Sequence, residues 1–406
     1  MSTTSRVPIP RRHAVRLRIA RRVGYSAGVV ETFRTRPYAA QHFRAIVGHA
    51  RTTNPFYRRW ITDPERPPLL DRRTALDNND AILNGNPATG TTSGSISVPI
   101  RFAHSPEWTR MASRDVRRFV RSIGGKLPCV KIIHTATDRT HPLVLPVVAP
   151  LDEQIEFILR HKEESNAVAV TTLPTNAELL AREVLERGID MSFVRRFGTY
   201  AETLQDKQKE MIRAAFPNAR LWETYSSMEF GLIAVPCPYE PEFYHIMAHR
   251  LGVEVLDDNG SPAAEGEPGR VYITDYFNRL SPLIRYELGD LVVRAECPCN
   301  RIQLPALSRI LGRVSGTLLH RNGKRVLFVE IAIALREIPG MRQYQVIQDG
   351  LEEYTVKVAA QKNIDTEVRT VFQKHLGYIP SQMAIRYVEE IPRAANGKYR
   401  TSICNV

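Results

Sequence analysis

Ala167-Val168-Ala169-Val170-Thr171-Thr172, followed by Asn176-Ala177-Glu178-Leu179-Leu180-Ala181-Arg182-Glu183-Val184-Leu185-Glu186-Arg187, is a strand-like run feeding a helical one. The same alternation surrounds it. Cys129 to His134 and Leu143 to Val148 read as strands, while Asp152 to Arg160 and Lys207 to Phe216 read as helices. Strands that alternate with helices of this length predict an α/β architecture, with helices flanking a sheet.

Working outward, the pattern between Phe243 and Val293 becomes strand-rich: Val253-Glu254-Val255-Leu256, a turn at Asp257-Asp258-Asn259-Gly260, then Arg270-Val271-Tyr272-Ile273. This predicts a β subdomain on the same core. After Gly312-Arg313-Val314-Ser315-Gly316 a smaller α+β unit begins, with a turn at Gly323, a helix from Val329 to Ile338, a strand from Tyr354 to Val358 and a helix from Asp365 to Leu376. The domain boundary is expected there, giving units 1–313 and 314–406. Upstream, residues 30–60 read as helical with a loop around Pro55, and Arg66 to Arg72 as an extended connector ending in a helix cap. Residues Asn84 to Ser97 read as a loop between two strands, Ala81-Ile82-Leu83 and Val98-Pro99-Ile100.

The 406 residues suffice for two domains, each with its own core. The net charge of +13 suggests a nucleic-acid partner until its source is located. Residues 1–60 hold 13 Arg, no Lys and one acid, Glu31, so the remaining chain is close to neutral. The run from Arg11 to Arg22 reads as a solvated arginine-rich helix, or as one near an anionic ligand, a membrane surface or nucleic acid; a transit peptide is a further alternative. With no helix-turn-helix or stacking-aromatic signature, no nucleic-acid partner is expected. No run approaches a membrane span, and five cysteines, an odd count without disulfide density, favour a reducing, cytoplasmic setting. A homodimer is compatible with these features.

Thr91-Thr92-Ser93-Gly94-Ser95 offers hydroxyls and turning glycine backbone suited to phosphate oxygens. Gly85 and Gly90 are spaced like a P-loop start, but Thr91 stands where that loop needs lysine, so the P-loop reading fails. Further patches follow in order: Glu223-Thr224-Tyr225-Ser226-Ser227-Met228-Glu229, then Pro282-Leu283-Ile284-Arg285-Tyr286-Glu287-Leu288-Gly289-Asp290, then Gly312-Arg313-Val314-Ser315, then Ile391-Pro392-Arg393-Ala394-Ala395-Asn396-Gly397-Lys398. Together these resemble the superfamily of adenylate-forming enzymes (the ANL superfamily of acyl-CoA synthetases, adenylation domains and luciferases), in its phenylacetate-CoA ligase and coenzyme F390 synthetase branch. The chain departs from the pattern at Ile96, Ser97 and Ile100, where Thr-Gly and Lys are usual, at Met228 for threonine, and at Ser315 for aspartate.

The resemblance implies a large adenylation domain at 1–313 with a small mobile lid at 314–406. It implies an ATP-dependent, AMP-forming ligase of acyl-CoA synthetase type, with a place in secondary metabolism, that activates a small aromatic acid and passes it to CoA, a carrier protein or an amine. Adenylylation of a phenol hydroxyl or of nitrite, and a degenerate nucleotide-binding homologue, are the alternatives. By the same resemblance Thr92, Ser93, Gly94 and Ser95 hold phosphate, Tyr225 stacks on adenine, Asp290 accepts the ribose hydroxyls, Arg313 reaches ribose or phosphate, Glu229 holds magnesium and Lys398 is catalytic. His134, Phe197, Tyr200 and Ser226 are candidate pocket residues. Finally, Cys237, His245, Cys297 and Cys299 supply three thiolates and an imidazole, a donor set for a closed structural zinc site, and the branch carries a similar arrangement.

Overall fold

A computed structural model describes residues 36–92, 99–122, 127–133, 142–165, 167–200, 204, 206–302, 304–313, 317–323, 325–392 and 401–406. The arginine-rich run, Ser93, Gly94, Ser95, His134, Val314, Ser315 and Lys398 lie outside them.

The described chain opens with helices α1 (Arg36–Thr53), α2 (Pro55–Trp60), α3 (Arg72–Asp77) and α4 (Asn79–Leu83). Pro55 starts a helix where a loop was expected. It occupies the first helical turn, where no N–H is needed, and the Asn54 side chain caps the end by accepting from Phe56 N at 2.8 Å. The expected cap before Arg72 is Asp71, whose Oδ1 accepts from Thr74 N at 2.8 Å. Ala81-Ile82-Leu83, expected as a strand, belongs to α4. The strands around the Ser/Thr/Gly loop are β1 (Gly90–Thr91) and β2 (Arg101–Phe102), paired with Gly90 opposite Phe102. A Cβ on Gly90 would lie 2.6 Å from the Phe102 ring, so that register requires glycine.

Helix α5 (Pro106–Ser122) leads to β3 (Cys129–Ile133), β4 (Val144–Pro146), α6 (Leu151–Glu164), β5 (Val168–Thr172), α7 (Pro174–Glu186), β6 (Val194–Thr199), α8 (Asp206–Ala215) and β7 (Arg220–Glu223). The five strands form one parallel sheet in the order β4-β3-β5-β6-β7. Val130, Val170 and Phe197 from the strands pack with Ile158 of α6 and with Leu180, Ala181 and Val184 of α7. Fully burying such side chains contributes about 1.5–3 kcal/mol each, more than helix propensity supplies per residue, so the apolar stripe fixes the helices on this face.

Strands β8 (Tyr225–Ser227), β9 (Gly231–Pro236), β10 (Tyr244–Ile246), β11 (Leu251–Leu256), β12 (Pro268–Asp275), β13 (Tyr286–Ala295) and β14 (Ala306–Arg313) form a seven-stranded antiparallel sheet, in the order β11-β12-β13-β14-β10-β9-β8. This is the expected β subdomain, and Val255 stands opposite Val271 in it. Beyond it lie β15 (Thr317–Leu319), β16 (Arg325–Leu327), α9 (Phe328–Arg336), β17 (Met341–Gly350), β18 (Glu353–Ala360), α10 (Asp365–Leu376), β19 (Gln382–Tyr387) and β20 (Ser402–Cys404). Here a four-stranded sheet, β19-β18-β17-β20, shares a core of residues drawn from Leu318 to Met383 with both helices. Among the described residues no helix is long and apolar enough to cross a membrane.

A buried ionic network fastens α5 to the antiparallel sheet. Arg250 is fully buried; it donates to Leu232 O at 2.7 Å, pairs with Asp275 at 3.4 Å and with Asp115 at 3.5 Å, and lies 5.4 Å from the Trp108 ring centroid. Trp108 Nε1 donates to the same Asp275 oxygen at 2.7 Å, and the other oxygen accepts from Phe277 N and Asn278 N. A guanidinium out of water requires these partners, since breaking a buried pair leaves an uncompensated charge. Asp275→Ala should therefore lower unfolding stability by about 3–5 kcal/mol in denaturant titration, whereas Asp258→Ala, whose exposed carboxylate meets Arg270 at 3.3 Å, should change it by less than about 1 kcal/mol.

Candidate active site and metal centre

The Ser/Thr/Gly loop is closed at its base by one residue. Thr92 N donates to Ile100 O at 2.9 Å, and Thr92 Oγ1 accepts from Ile100 N at 3.0 Å, so the chain returns on itself across eight residues. Thr92 is buried. Past β2, Ser105 Oγ accepts from Trp108 N and caps α5, which sets His104 just outside the helix. His104 Nε2 bonds to Glu229 O at 2.9 Å, and its ring stacks on Trp108 with centroids 3.4 Å apart. Burial lowers the His104 pKa, partly offset by the hydrogen bond to the Glu229 carbonyl, so the ring is held towards its neutral form. The loop hairpin and the Glu229 turn are thereby joined, and Glu229 itself is buried.

Tyr225 on β8 and Asp290 on β13 are four strands apart in the sheet. At about 4.8 Å per strand a flat sheet would separate them by roughly 19 Å. Instead Tyr225 OH donates to Asp290 Oδ2 at 2.8 Å. The sheet must curl to allow this, and register shifts fall beside both residues, between Tyr225 and Ser226 and between Leu291 and Val292. Gly289 adopts φ +80°, a left-handed turn next to Asp290. Arg313 is the cross-strand partner of Asp290. Three motif residues expected to serve one nucleotide thus meet at one end of the curled sheet. Tyr225 orients the carboxylate, a type of group able to accept a vicinal diol.

The candidate pocket residues fare differently. Phe197 is fully buried on the helix side of the parallel sheet, with its ring centroid 4.6 Å from that of Phe216, so it is core and not a cleft wall. Tyr200 is half-buried against the same core, and Ser226 is exposed. A cavity of about 260 Å³ is lined by Lys209, Arg213, Trp222, Glu223, Cys237 and Tyr244 among others; Thr92, Tyr225, Glu229 and Asp290 are not part of its lining. Sequence reasoning missed His104 and Arg72. Arg72 Nη1 donates to Tyr286 OH at 3.1 Å, and Nη2 to Thr92 Oγ1 at 3.4 Å. The Ser-Pro start of α5 was a usable signal for His104; Arg72 carried none.

Cys237, His245, Cys297 and Cys299 converge, with donor atoms all within 4.8 Å of one another. Cys237 follows β9, His245 lies on β10, and the other two sit in the β13–β14 connection. His245 Nδ1 lies 3.4 Å from Leu304 O and Nε2 3.8 Å from Cys299 Sγ. Donation to the carbonyl from Nδ1 leaves the Nε2 lone pair facing the thiols, which is the tautomer a metal ligand needs. Burial raises the Cys237 thiol and pushes Cys297 up to about 12, while at Cys299 burial is outweighed by backbone N–H groups of Arg301 and Ile302, which lower it. Three thiols and an imidazole suit a tetrahedral thiophilic cation with no position left open.

A protein-family model described as the CapK C-terminal domain matches residues 318–405. The chain is 24% identical over 267 residues to Protein CapK of Staphylococcus aureus, covering 63% of this chain and 56% of that one. It is 25% identical over 250 residues to the phenylacetate-coenzyme A ligase of Thermus thermophilus, covering 58% and 54% respectively. The chain therefore spans a little over half the length of these curated relatives, 56% and 54%. Among solved structures, a 2-hydroxyisobutyryl-CoA ligase in its postadenylation state superposes with a TM-score of 0.70 at 18% identity, over 90% of this chain and 88% of that one. The amide bond synthetase McbA of Marinactinospora thermotolerans superposes with a TM-score of 0.54 at 19% identity, over 74% and 65%. These likenesses show the fold.

The four-residue cluster gives its own test. Purified protein should carry about one zinc per chain by elemental analysis, and Cys299→Ser should lose it and with it more than about 4 kcal/mol of stability. Zinc-free wild-type protein of unchanged stability would contradict the assignment.

Proposed function

We propose that the chain is a phenylacetate-CoA ligase-like member of the adenylate-forming superfamily, a reading supported by its likeness to a phenylacetate-coenzyme A ligase: an ATP-dependent, AMP-forming ligase that activates a small carboxylic acid, with an aromatic acid the favoured class, and transfers the acyl group to CoA or an amine. The observation that carries this reading is the Tyr225–Asp290 hydrogen bond. It supports a ribose site on β13 with an aromatic ring beside it, in a sheet whose flat form could not provide one.

In this mechanism Asp290 accepts the two ribose hydroxyls and Tyr225 holds its carboxylate in register. Thr92 and its loop take phosphate oxygens. Glu229 would hold magnesium, which when bound supplies positive charge to the phosphoryl oxygens; the backbone of its turn is fixed by His104. The substrate carboxylate oxygen attacks the α-phosphorus, the bond to the β-phosphate oxygen breaks, and pyrophosphate leaves with the electron pair. Repulsion between acid and triphosphate makes alignment and charge neutralisation the chief tasks of the protein. Lys398 would bring a point charge to the reacting oxygens from the C-terminal unit 314–406, which we take as a mobile lid hinged near Arg313. A thiol or amine then attacks the acyl carbon and AMP departs.

The zinc proposed for the cysteine cluster would have a structural role: it would tie the β13–β14 connection to β10 and the end of β9, the strand that pairs with β8.

Acid-dependent exchange of labelled pyrophosphate into ATP tests this, over a panel of aromatic, aliphatic and amino acids plus nitrite. One acid class should evoke exchange, Lys398→Ala should abolish it, and Asp290→Ala should raise the KM for ATP about 10- to 100-fold, the worth of a charge-assisted hydrogen-bond pair. Exchange with nitrite alone would replace the acid by a non-carboxylate substrate. Silence across the panel with ATP still bound would favour a nucleotide-binding homologue without turnover.

A further inference from the structure

The cavity of about 260 Å³ beside the cysteine cluster has no part in the nucleotide reading, yet its walls combine three kinds of binding group. The first is strand β7, all four of whose residues, Arg220 to Glu223, line it. This strand ends the parallel sheet and pairs only with β6 among the described strands, so no ladder takes up its outer edge. The second is a fixed indole. Trp222 stacks on Phe119 with ring centroids 4.3 Å apart and planes 8° from parallel, and it lies so close to Gly198 that a Cβ there would meet its Nε1 at 2.5 Å. It is only half-buried, and Leu204 and Pro241 line the cavity with it. A rigid aromatic ring offers apolar contact area at little cost in side-chain entropy.

The third is charge. Lys209, Arg213 and Arg220 line the cavity, against two acids, Glu223 and Glu242. Glu223 is buried, and its oxygens accept from Leu204 N at 2.9 Å and from Tyr244 OH at 2.8 Å. Arg220 donates to Pro238 O at 3.0 Å, a neutral acceptor. Neither Arg220 nor Arg213 is paired with a carboxylate among the described residues, and both are exposed. The volume holds roughly nine waters, or one ring with an anionic head.

We propose that this cavity is a second ligand site that takes a small aromatic anion, with the ring on Trp222 and the anionic head on Arg213 and Arg220. The assignment stands apart from the nucleotide reading. Because Cys237 and Glu223 are in the wall, an occupant touches both the cysteine cluster and the strand that ends two residues before Tyr225.

Calorimetry on the full chain tests this with phenyl phosphate as the probe, inorganic phosphate and phenol as its two halves, and thermal unfolding as a folding control. Phenyl phosphate should bind at least about tenfold more tightly than either half. Arg213→Glu and Arg220→Glu should each weaken it at least about fivefold, with the unfolding midpoint unchanged. Equal affinity for phenyl phosphate and inorganic phosphate would mean a surface ion contact that leaves the indole unused, and would overturn the proposal. Absence of binding, or binding that both arginine variants leave unchanged, would overturn it too. Loss of binding in Asp290→Ala, with both arginine variants unaffected, would place the anion among the nucleotide residues and reject the cavity.

Discussion

The curl of the seven-stranded sheet is the constraint on which the rest depends. Laid flat, β8 and β13 belong to different regions of the molecule; curled, they place Tyr225 against Asp290 at 2.8 Å. The curvature is introduced by register shifts next to those residues and by the left-handed Gly289. Bulges bend strands and increase their twist, so the irregularities that weaken the ladder are the ones that assemble the site.

A buried ionic network braces the same sheet. Arg250, between Asp115 and Asp275 and beside Trp108, locks α5 to the strands around Leu232. Trp108 in turn stacks on His104, and His104 reaches Glu229. A chain of contacts thus runs from the deepest guanidinium of the sheet to the turn proposed to hold magnesium. Tyr57, fully buried, adds a second brace by donating to Pro282 O at the head of the segment that leads to Asp290. Loosening these braces would act on the site at a distance, by letting the two ends of the sheet separate.

What could be read from the sequence follows from the range of each interaction. Helix α7, the cap at Asp71 and helix α10 are local matters of period and capping, and the structure has them where the residues implied. The motif residues were legible as a set through their order, and the thiols and imidazole through their chemistry. Phe197 was misassigned because a strand alternates between two faces, and nothing local says which face borders a cleft. Arg72 and His104 escaped because their partners are 214 and 125 residues away, Tyr286 and Glu229 respectively. Contacts of that separation are products of the fold; the Ser-Pro start of α5 marks the helix entrance beside His104 but says nothing of Glu229 as its partner.

The central claim is that the Tyr225–Asp290 junction is the ribose and adenine site of an adenylating enzyme. A crystal structure with a non-hydrolysable acyl-adenylate analogue tests it most directly. The account predicts the ribose hydroxyls on the Asp290 carboxylate, the base against Tyr225 and the phosphate mimic directed towards Thr92 and Glu229. An analogue bound in the cavity beside Trp222 and Cys237, with Asp290 untouched, would contradict it.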